Sequence, residues 1–386
     1  MQLQIFLAKK PLFYNEIDYT RMPRVYKSIK EKLANPKIIH LIGTNAKGTT
    51  GRFLASALYK RGFSVGHYTS PHILEFNERV WLDGSDASDE VLQEAHTKLQ
   101  NILKKEDSDA LSYFEYTTLL ASIVFSSCEY VVMEAGLGGE HDATAVFDKF
   151  LTLVTPIAYD HQAFLGESIK EIATTKLRAI QNSAILATQS SEVYSVAKDL
   201  ALKNSLDIRK YQEYLDTEDE QKIQIIAQEL KLASYLVDNL SLSIAALKFL
   251  GIKYATDDFN GARLFGRLSR LDDNIIVDVG HNPLAAQAIK EALSPKKYVL
   301  VYNSYKDKDH EQILKILKPI LNSVELIDIN DNRAQTFEVL KRTLNELEIK
   351  YTKFKRVDKD TSYLVFGSFS VVEAFIKSYK EWKNEI

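Results

Sequence analysis

The chain has 386 residues but only one cysteine, Cys128, so no intrachain disulfide can form and a secreted disulfide scaffold is excluded. It lacks an apolar run of membrane-spanning length and a charged-then-apolar leader, so no membrane association is expected and the cytoplasm is the expected location. Lys and Arg number 49 against 52 Asp and Glu, a net charge of −3, and the basic residues form no cluster. The electrostatic footprint of a nucleic-acid binder is therefore missing. There is no internal repeat, no low-complexity segment, no GxGxxG dinucleotide fingerprint and no guanine-reading NKxD or TKxD signature. What remains is a globular protein acting on a small molecule, long enough for two domains that each bury a core without metal or disulfide staples.

The most informative stretch that is present runs from Ile38 to Thr50, IIHLIGTNAKGTT. The β-type run Ile38–Ile42 ends in a Gly/Thr/Asn turn carrying Lys47, and a helix pattern with Phe53, Leu54, Ala57 and Leu58 on one face follows at once. A turn of this kind presents backbone N–H groups and the positive end of a helix to an anion. Lys47 adds a mobile charge and Thr49 a hydroxyl able to ligate magnesium. The strict GxxxxGK[ST] pattern fails, since Leu41 and Ala46 stand at its glycine positions and Gly48 displaces the hydroxyl by one residue. A plain strand-turn-helix corner with a solvated lysine is the competing reading of this stretch taken alone.

Gly62 closes that helix, and Phe63–Tyr68 reads as the next strand, ending in Thr69-Ser70-Pro71-His72 at the edge where open α/β sheets place ligands. Helical segments are expected around 21–34, 88–105 and 114–127. Tyr130–Met133 then runs as a buried strand into Glu134, where a carboxylate can hold magnesium. After a strand at Phe150–Ile157 comes Asp160-His161. The following helix carries Ile169, Ile172, Ala173, Leu177 and Ile180 on its apolar face, and Lys176 falls on that same face. Either its stem snorkels over the core or the lysine is functional and chemically altered. Ala184–Thr188 reads as a strand, 190–203 as a helix, Thr217–Glu220 as a solvated acidic turn, and Leu232–Leu250 as a long helix containing Asn239.

Near residue 258 the polar run Asp257-Asp258-Phe259-Asn260-Gly261 opens a second series of alternating strands and helices. Asn274–Val279 is a strand containing Asp278, and Gly280-His281-Asn282-Pro283 leads into a helix with Pro283 in its first turn. Strands follow at Tyr298–Tyr302, Val324–Ile329 and Leu364–Gly367, giving a doubly wound α/β unit.

Read in order, GTNAKGTT, YTSPH, FNERV, EAGLGG, YDH with Lys176 fifteen residues later, GRL, DVGHNP and DKD resemble the folylpolyglutamate synthase / dihydrofolate synthase family of the Mur ligase superfamily. The resemblance spans nearly the whole chain. It implies a P-loop Mur-ligase-type central domain at 1–258 that binds ATP, followed at 259–386 by a smaller, Rossmann-like C-terminal domain. It implies an ATP- and magnesium-dependent amide ligase of folate metabolism, monomeric and without macromolecular partners. ATP phosphorylates a pterin or folate carboxylate, and the amine of L-glutamate attacks the acyl phosphate. The triphosphate cradle maps onto Asn45, Ala46, Lys47, Gly48, Thr49 and Thr50, and the magnesium ligands onto Thr49, Ser70, Glu134 and His161. Adenine, phosphate and ribose contacts map onto Asn239, Arg267 and Asp278, with His281 beside them, which puts ATP between the two domains. Lys176 matches a lysine carbamylated by carbon dioxide, so Lys47, Glu134, His161 and Lys176 are the expected catalytic group. The pterin segment maps onto Ser112, Tyr113, Phe114 and Glu115, and a further substrate contact onto Asp142.

Two departures from the family pattern lie beside the implied pterin site. Glu140-His141-Asp142-Ala143 stands where the family writes RLDA within GGRLDATN, and Thr20-Arg21-Met22-Pro23-Arg24 replaces an N-terminal GLxR. Both bear on the choice of pterin and leave the ATP chemistry untouched. A peptidoglycan-building Mur ligase would carry a UDP-binding domain before the phosphate loop, and the 42 residues preceding Gly43 are too few for one. A nucleotide switch would need the guanine signature that is missing.

Overall fold

β1 (Lys37–Ile42) buries five of its six residues, as a strand covered on both faces must. In this computed structural model, which describes residues 2–11 and 18–384, it lies at the centre of an eight-stranded sheet. Its companions are β2 (Val65–Tyr68), β3 (Val80–Leu82), β4 (Ser85–Asp86), β5 (Tyr130–Glu134), β6 (Lys149–Val154), β7 (Ser183–Leu186) and β8 (Asp207–Lys210). The order is β4-β3-β2-β5-β1-β6-β7-β8, parallel except where β3 pairs with β2 and β4. β1 hydrogen-bonds to β5 on one side and β6 on the other, Leu41 opposite both Glu134 and Leu153. The carboxyl end of β1 is thus the point where connections leave in opposite directions, the crevice in which open α/β sheets bind ligands.

The second sheet contains β9 (Ser269–Asp272), β10 (Ile275–Asp278), β11 (Tyr298–Tyr302), β12 (Leu321–Leu326), β13 (Tyr351–Lys353) and β14 (Tyr363–Phe366) in the order β13-β12-β11-β14-β10-β9, with only β9 antiparallel. Two units result. One comprises 1–158, 162–231 and 236–262; the other comprises 263–386 together with Tyr159–His161 and Leu232–Tyr235. Each has its own apolar core: Val25, Tyr68, Leu119 and Val131 are among the core of the first unit, Leu300, Leu314, Val324 and Phe366 among that of the second. Among the described residues no helix is long and apolar enough to cross a membrane.

The expected acidic turn at Thr217–Glu220 is instead the first turn of a helix, Thr217–Glu229. Asp216 caps it by accepting from the Glu218 and Asp219 N–H groups at 3.0 Å, and the acids that follow complement the positive helix end. Asp219 is buried rather than solvated, held by Lys248 at 2.9 Å and by the Tyr254 hydroxyl at 2.7 Å. The segment expected at 88–105 divides into helices Asp89–Ile102 and Lys105–Ala110, and β12 begins three residues earlier than expected. The short strands β4, β8, β9 and β13 at the sheet edges, and β3 beside β4, carry no apolar run long enough to be read from the sequence.

Candidate active site

Gly43 ends β1 at φ 140°, where a Cβ would meet the Thr155 Oγ1 at 2.0 Å, so only glycine lets the chain turn here. The helix Lys47–Lys60 starts after Ala46, which sits at φ 75° and ψ −7° with no side chain capping the first turn. The opening N–H groups of that helix are available to an anion. Lys47 Nζ donates to the Gly43 and Thr44 carbonyls at 3.2 and 3.3 Å and lies 3.8 Å from Glu134 Oε1. Gly48, Thr49 and Thr50 are buried, and the hydroxyls of Thr49 and Thr50 have no hydrogen-bond partner. Asn45 is half-buried beside them.

Glu134 arrives at the end of β5, one strand away. Its Oε2 accepts from the Thr69 hydroxyl and from the Ser70 N–H at 3.2 Å, which aims the other oxygen toward Lys47. Lys176, on the helix Ile169–Leu177, is 4% exposed, and its ammonium reaches the Gly43 carbonyl at 3.0 Å. The close approach depends on Gly139, where a Cβ would lie 2.5 Å from the Lys176 carbonyl oxygen. Lys47, Lys176, Glu134 and Thr49 thus surround the carboxyl end of β1 within the first unit. Two lysines share one carbonyl there.

A buried hydroxyl with no partner is costly in an apolar setting, because its desolvation is uncompensated. Thr49, two residues after the Lys47 that contacts Glu134, and Glu134 itself offer the hard oxygen donors that magnesium takes, so the residues fit that ion. Among the described residues no group of three or more His, Cys, Asp or Glu is arranged around a common metal position. The sequence-derived set contains only two such residues, Glu134 and His161, with Thr49 and Ser70 supplying hydroxyls. His161 belongs to the second unit, at φ 51°, with its N–H donating to Asp160 Oδ1 at 2.9 Å.

In the second unit Asp278, at the end of β10, organises a turn. Its oxygens accept from the Leu268 and Gly280 N–H groups, each at 2.8 Å, and from the Tyr235 hydroxyl at 3.3 Å. Burial pushes its carboxyl up, opposed by the Arg267 charge and those N–H groups. Arg267 lies over the Phe369 ring at 5.1 Å. His281 Nδ1 is 3.2 Å from the Val279 carbonyl and its Nε2 is 3.5 Å from Asp160. Asn239, in the first unit, is buried with its Nδ2 unpartnered. Asp160 and Lys308, which no pattern in the sequence pairs, form an ion pair at 2.5 Å with both side chains nearly fully buried. Its signals were the residue before His161 and the DKD motif. Asn282 adds a donor to Asp160 at 3.2 Å.

The residues assigned to the pterin divide. Ser112 and Glu115 form a capping box for the helix Tyr113–Val124, and Glu115 also pairs with Arg21 at 2.8 Å. Tyr113 lies under the Arg79 guanidinium, and Phe114 stacks on Tyr68 against Gly136. Asp142 lines a cleft of about 420 Å³ with Tyr19, Pro23, Tyr26, Glu140 and His141, whereas Ser112–Glu115 do not. The departing acid, Glu140, faces Arg178 at 3.4 Å.

A phosphate-type turn at the switch point of one α/β unit, followed by a second doubly wound unit, is the architecture of a Mur-ligase-like protein. No protein-family model matches the chain. The crystal structure of Helicobacter pylori folylpolyglutamate synthetase is 38% identical with a TM-score of 0.80, covering 98% of both chains. E. coli FolC in complex with DHPP and ADP is 25% identical with a TM-score of 0.81, covering 98% of this chain and 97% of that one. Among curated sequences, the dihydrofolate synthase/folylpolyglutamate synthase of Buchnera aphidicola subsp. Acyrthosiphon pisum is 30% identical over 371 residues, 88% of each chain. That of Escherichia coli K12 is 31% identical over 324 residues, 79% of this chain and 76% of that one. The chain belongs to the dihydrofolate synthase/folylpolyglutamate synthase family.

Proposed function

We propose that the chain is an ATP- and divalent-metal-dependent ligase that joins L-glutamate to a pterin acid, either dihydropteroate, a reduced folate, or both. The observation that carries the reading is the grouping of Lys47, Glu134 and the unpartnered Thr49 hydroxyl around the turn after β1. The reaction brings anions together, the triphosphate and the carboxylate that receives its γ-phosphoryl group. Cationic and N–H donors in a dry crevice therefore supply most of the stabilisation, and positioning supplies the rest. The helix N-terminus and Lys47 bind the phosphates. Thr49, Ser70, Glu134 and His161 are the residues that would hold magnesium, which when bound neutralises charge on the phosphoryl oxygens. Asn239, Arg267, Asp278 and His281 keep the nucleotide roles implied by the resemblance, and the cleft beside Asp142 takes the pterin. Glutamate's amine then attacks the acyl phosphate, forming the amide and releasing inorganic phosphate. We read the protein as a cytoplasmic monomer.

Lys176 is assigned as a carbamate. Two ammonium groups on the Gly43 carbonyl repel one another, whereas addition of the Lys176 amine to carbon dioxide, with loss of its proton, leaves an anion facing Lys47. Lys176→Ala should fold normally and lose ligation, with acetate or a similar small carboxylate restoring part of it. Full activity of that variant without any such addition would refute the carbamate.

The function itself is tested by ADP release and product mass with dihydropteroate or a reduced folate plus glutamate. A mass increase of one glutamyl residue is expected for at least one acceptor. Dependence on UDP-muramoyl acceptors instead would overturn the assignment.

A further inference from the structure

His40 lies in the middle of β1, flanked by Ile39 and Leu41, and is fully buried. A central parallel strand normally carries an unbroken apolar run, and a polar ring there costs free energy unless it is bonded. Nε2 of the ring lies 2.7 Å from the Thr144 hydroxyl, while Nδ1 is buried without a hydrogen-bond partner. The Thr144 hydroxyl in turn lies 2.6 Å from Asp142 Oδ1.

The directions follow from chemistry. Burial raises the Asp142 carboxyl, opposed by the N–H and hydroxyl donors of Leu137, Thr144 and Gly136; in its ionised form it only accepts, so the single hydroxyl proton of Thr144 goes to it and His40 donates through Nε2–H. His40 is then neutral, consistent with burial, and secondarily the Lys149 charge, holding its ring far below the usual histidine range. Asp142 also accepts from the Thr144 N–H at 2.9 Å and the Leu137 N–H at 2.8 Å, and it still lines the cleft. A valine at position 40 would satisfy the sheet without leaving a ring nitrogen unpaired. The histidine therefore serves the hydroxyl.

We propose that His40 and Thr144 are positioning residues for Asp142, a relay of two buried hydrogen bonds that keeps its carboxylate aimed into the cleft so that it can accept from N–H groups of the pterin. The proposal rests on the pterin assignment made above. The relay acts on binding of the pterin and leaves the phosphoryl-transfer groups around Gly43 alone.

The test compares Thr144→Val, which removes the hydroxyl at nearly constant volume, with Thr144→Ser, which keeps it, using whichever pterin acid the wild type turns over. In Thr144→Val the KM for that pterin should rise about tenfold, the loss of a hydrogen bond to a charged acceptor, with kcat and the KM for ATP within about twofold. Thr144→Ser should behave as wild type. His40→Phe, which keeps a flat ring and leaves the hydroxyl in place, should raise the same KM by a smaller factor, and it decides the matter if Thr144→Val fails to fold in a thermal melt. An unchanged pterin KM in Thr144→Val, equal losses in the Val and Ser variants, or a parallel rise in the KM for ATP would overturn the relay. A wild type that turns over no pterin acid overturns the functional reading instead.

Discussion

Ala46 occupies the left-handed region at φ 75°, where a Cβ crowds the following carbonyl and costs about 1 kcal/mol that glycine avoids. Its place is set by the turn, because the chain must reverse from β1 into the Lys47–Lys60 helix within four residues. Ala46→Gly should therefore stabilise the protein by up to about 1 kcal/mol, a rise of roughly 2 °C in Tm, with ATP affinity unchanged. Differential scanning calorimetry with and without ATP checks this, and a lowered Tm would contradict it. The sequence already marked Ala46 as the odd residue of the loop, but the sign of its φ depends on where Gly43 and Thr155 force the turn to go.

At the scale of elements, the residues proposed for the chemistry gather at strand-to-turn corners. β5 and β10 end in residues assigned to ligands and β1 runs into the phosphate turn, and their apolar runs were legible because buried parallel strands are predominantly apolar. Asp278 illustrates what was not legible. Its carboxylate is tied to two N–H groups and a tyrosine hydroxyl, so it shapes the Leu268 and Gly280 turns besides the nucleotide role proposed for it. Asp278→Ala should weaken ATP binding more than pterin binding, as titration of each ligand separately would read out. Equal ATP curves for variant and wild type would rule it out. The helix Thr217–Glu229 was not legible for a related reason: acids at a helix N-terminus look like a solvated loop until the contact of the buried Asp219 with Lys248 shows otherwise.

For the molecule as a whole, the buried pair Asp160–Lys308 governs how the second unit responds to acid. Burial opposes the Asp160 charge, yet the hydrogen bond from His281 and the charges of His161, His281 and Lys308 outweigh it, holding the carboxyl far below its ordinary 3.8. A depressed carboxyl contributes stability that is fully present above its unfolded value and is lost as pH falls through the folded one. Asp160→Asn should cost about 3–5 kcal/mol near neutrality by leaving the buried Lys308 with only the half-exposed Asp307 carboxylate, 3.5 Å away, as a charged partner. The gap to wild type should persist down to about pH 4 and shrink progressively below it. Urea melts at a series of pH values measure this; a gap that grows on acidification would be the wrong sign.

The sequence by itself determined the class of protein: two α/β units, a shifted phosphate turn, an acid at a strand end and a lysine on an apolar helix face. Those features are local, written in periodicity, turn residues and motif spacing. Only the tertiary structure decided that Lys47 and Lys176 share the Gly43 carbonyl, that Glu115 is spent on Ser112 and Arg21, and that His40 reaches Asp142 through Thr144. Such contacts join residues up to 133 positions apart. They follow from the order of strands in a sheet, which places β5 and β6 on either side of β1 and which no local pattern of residues encodes.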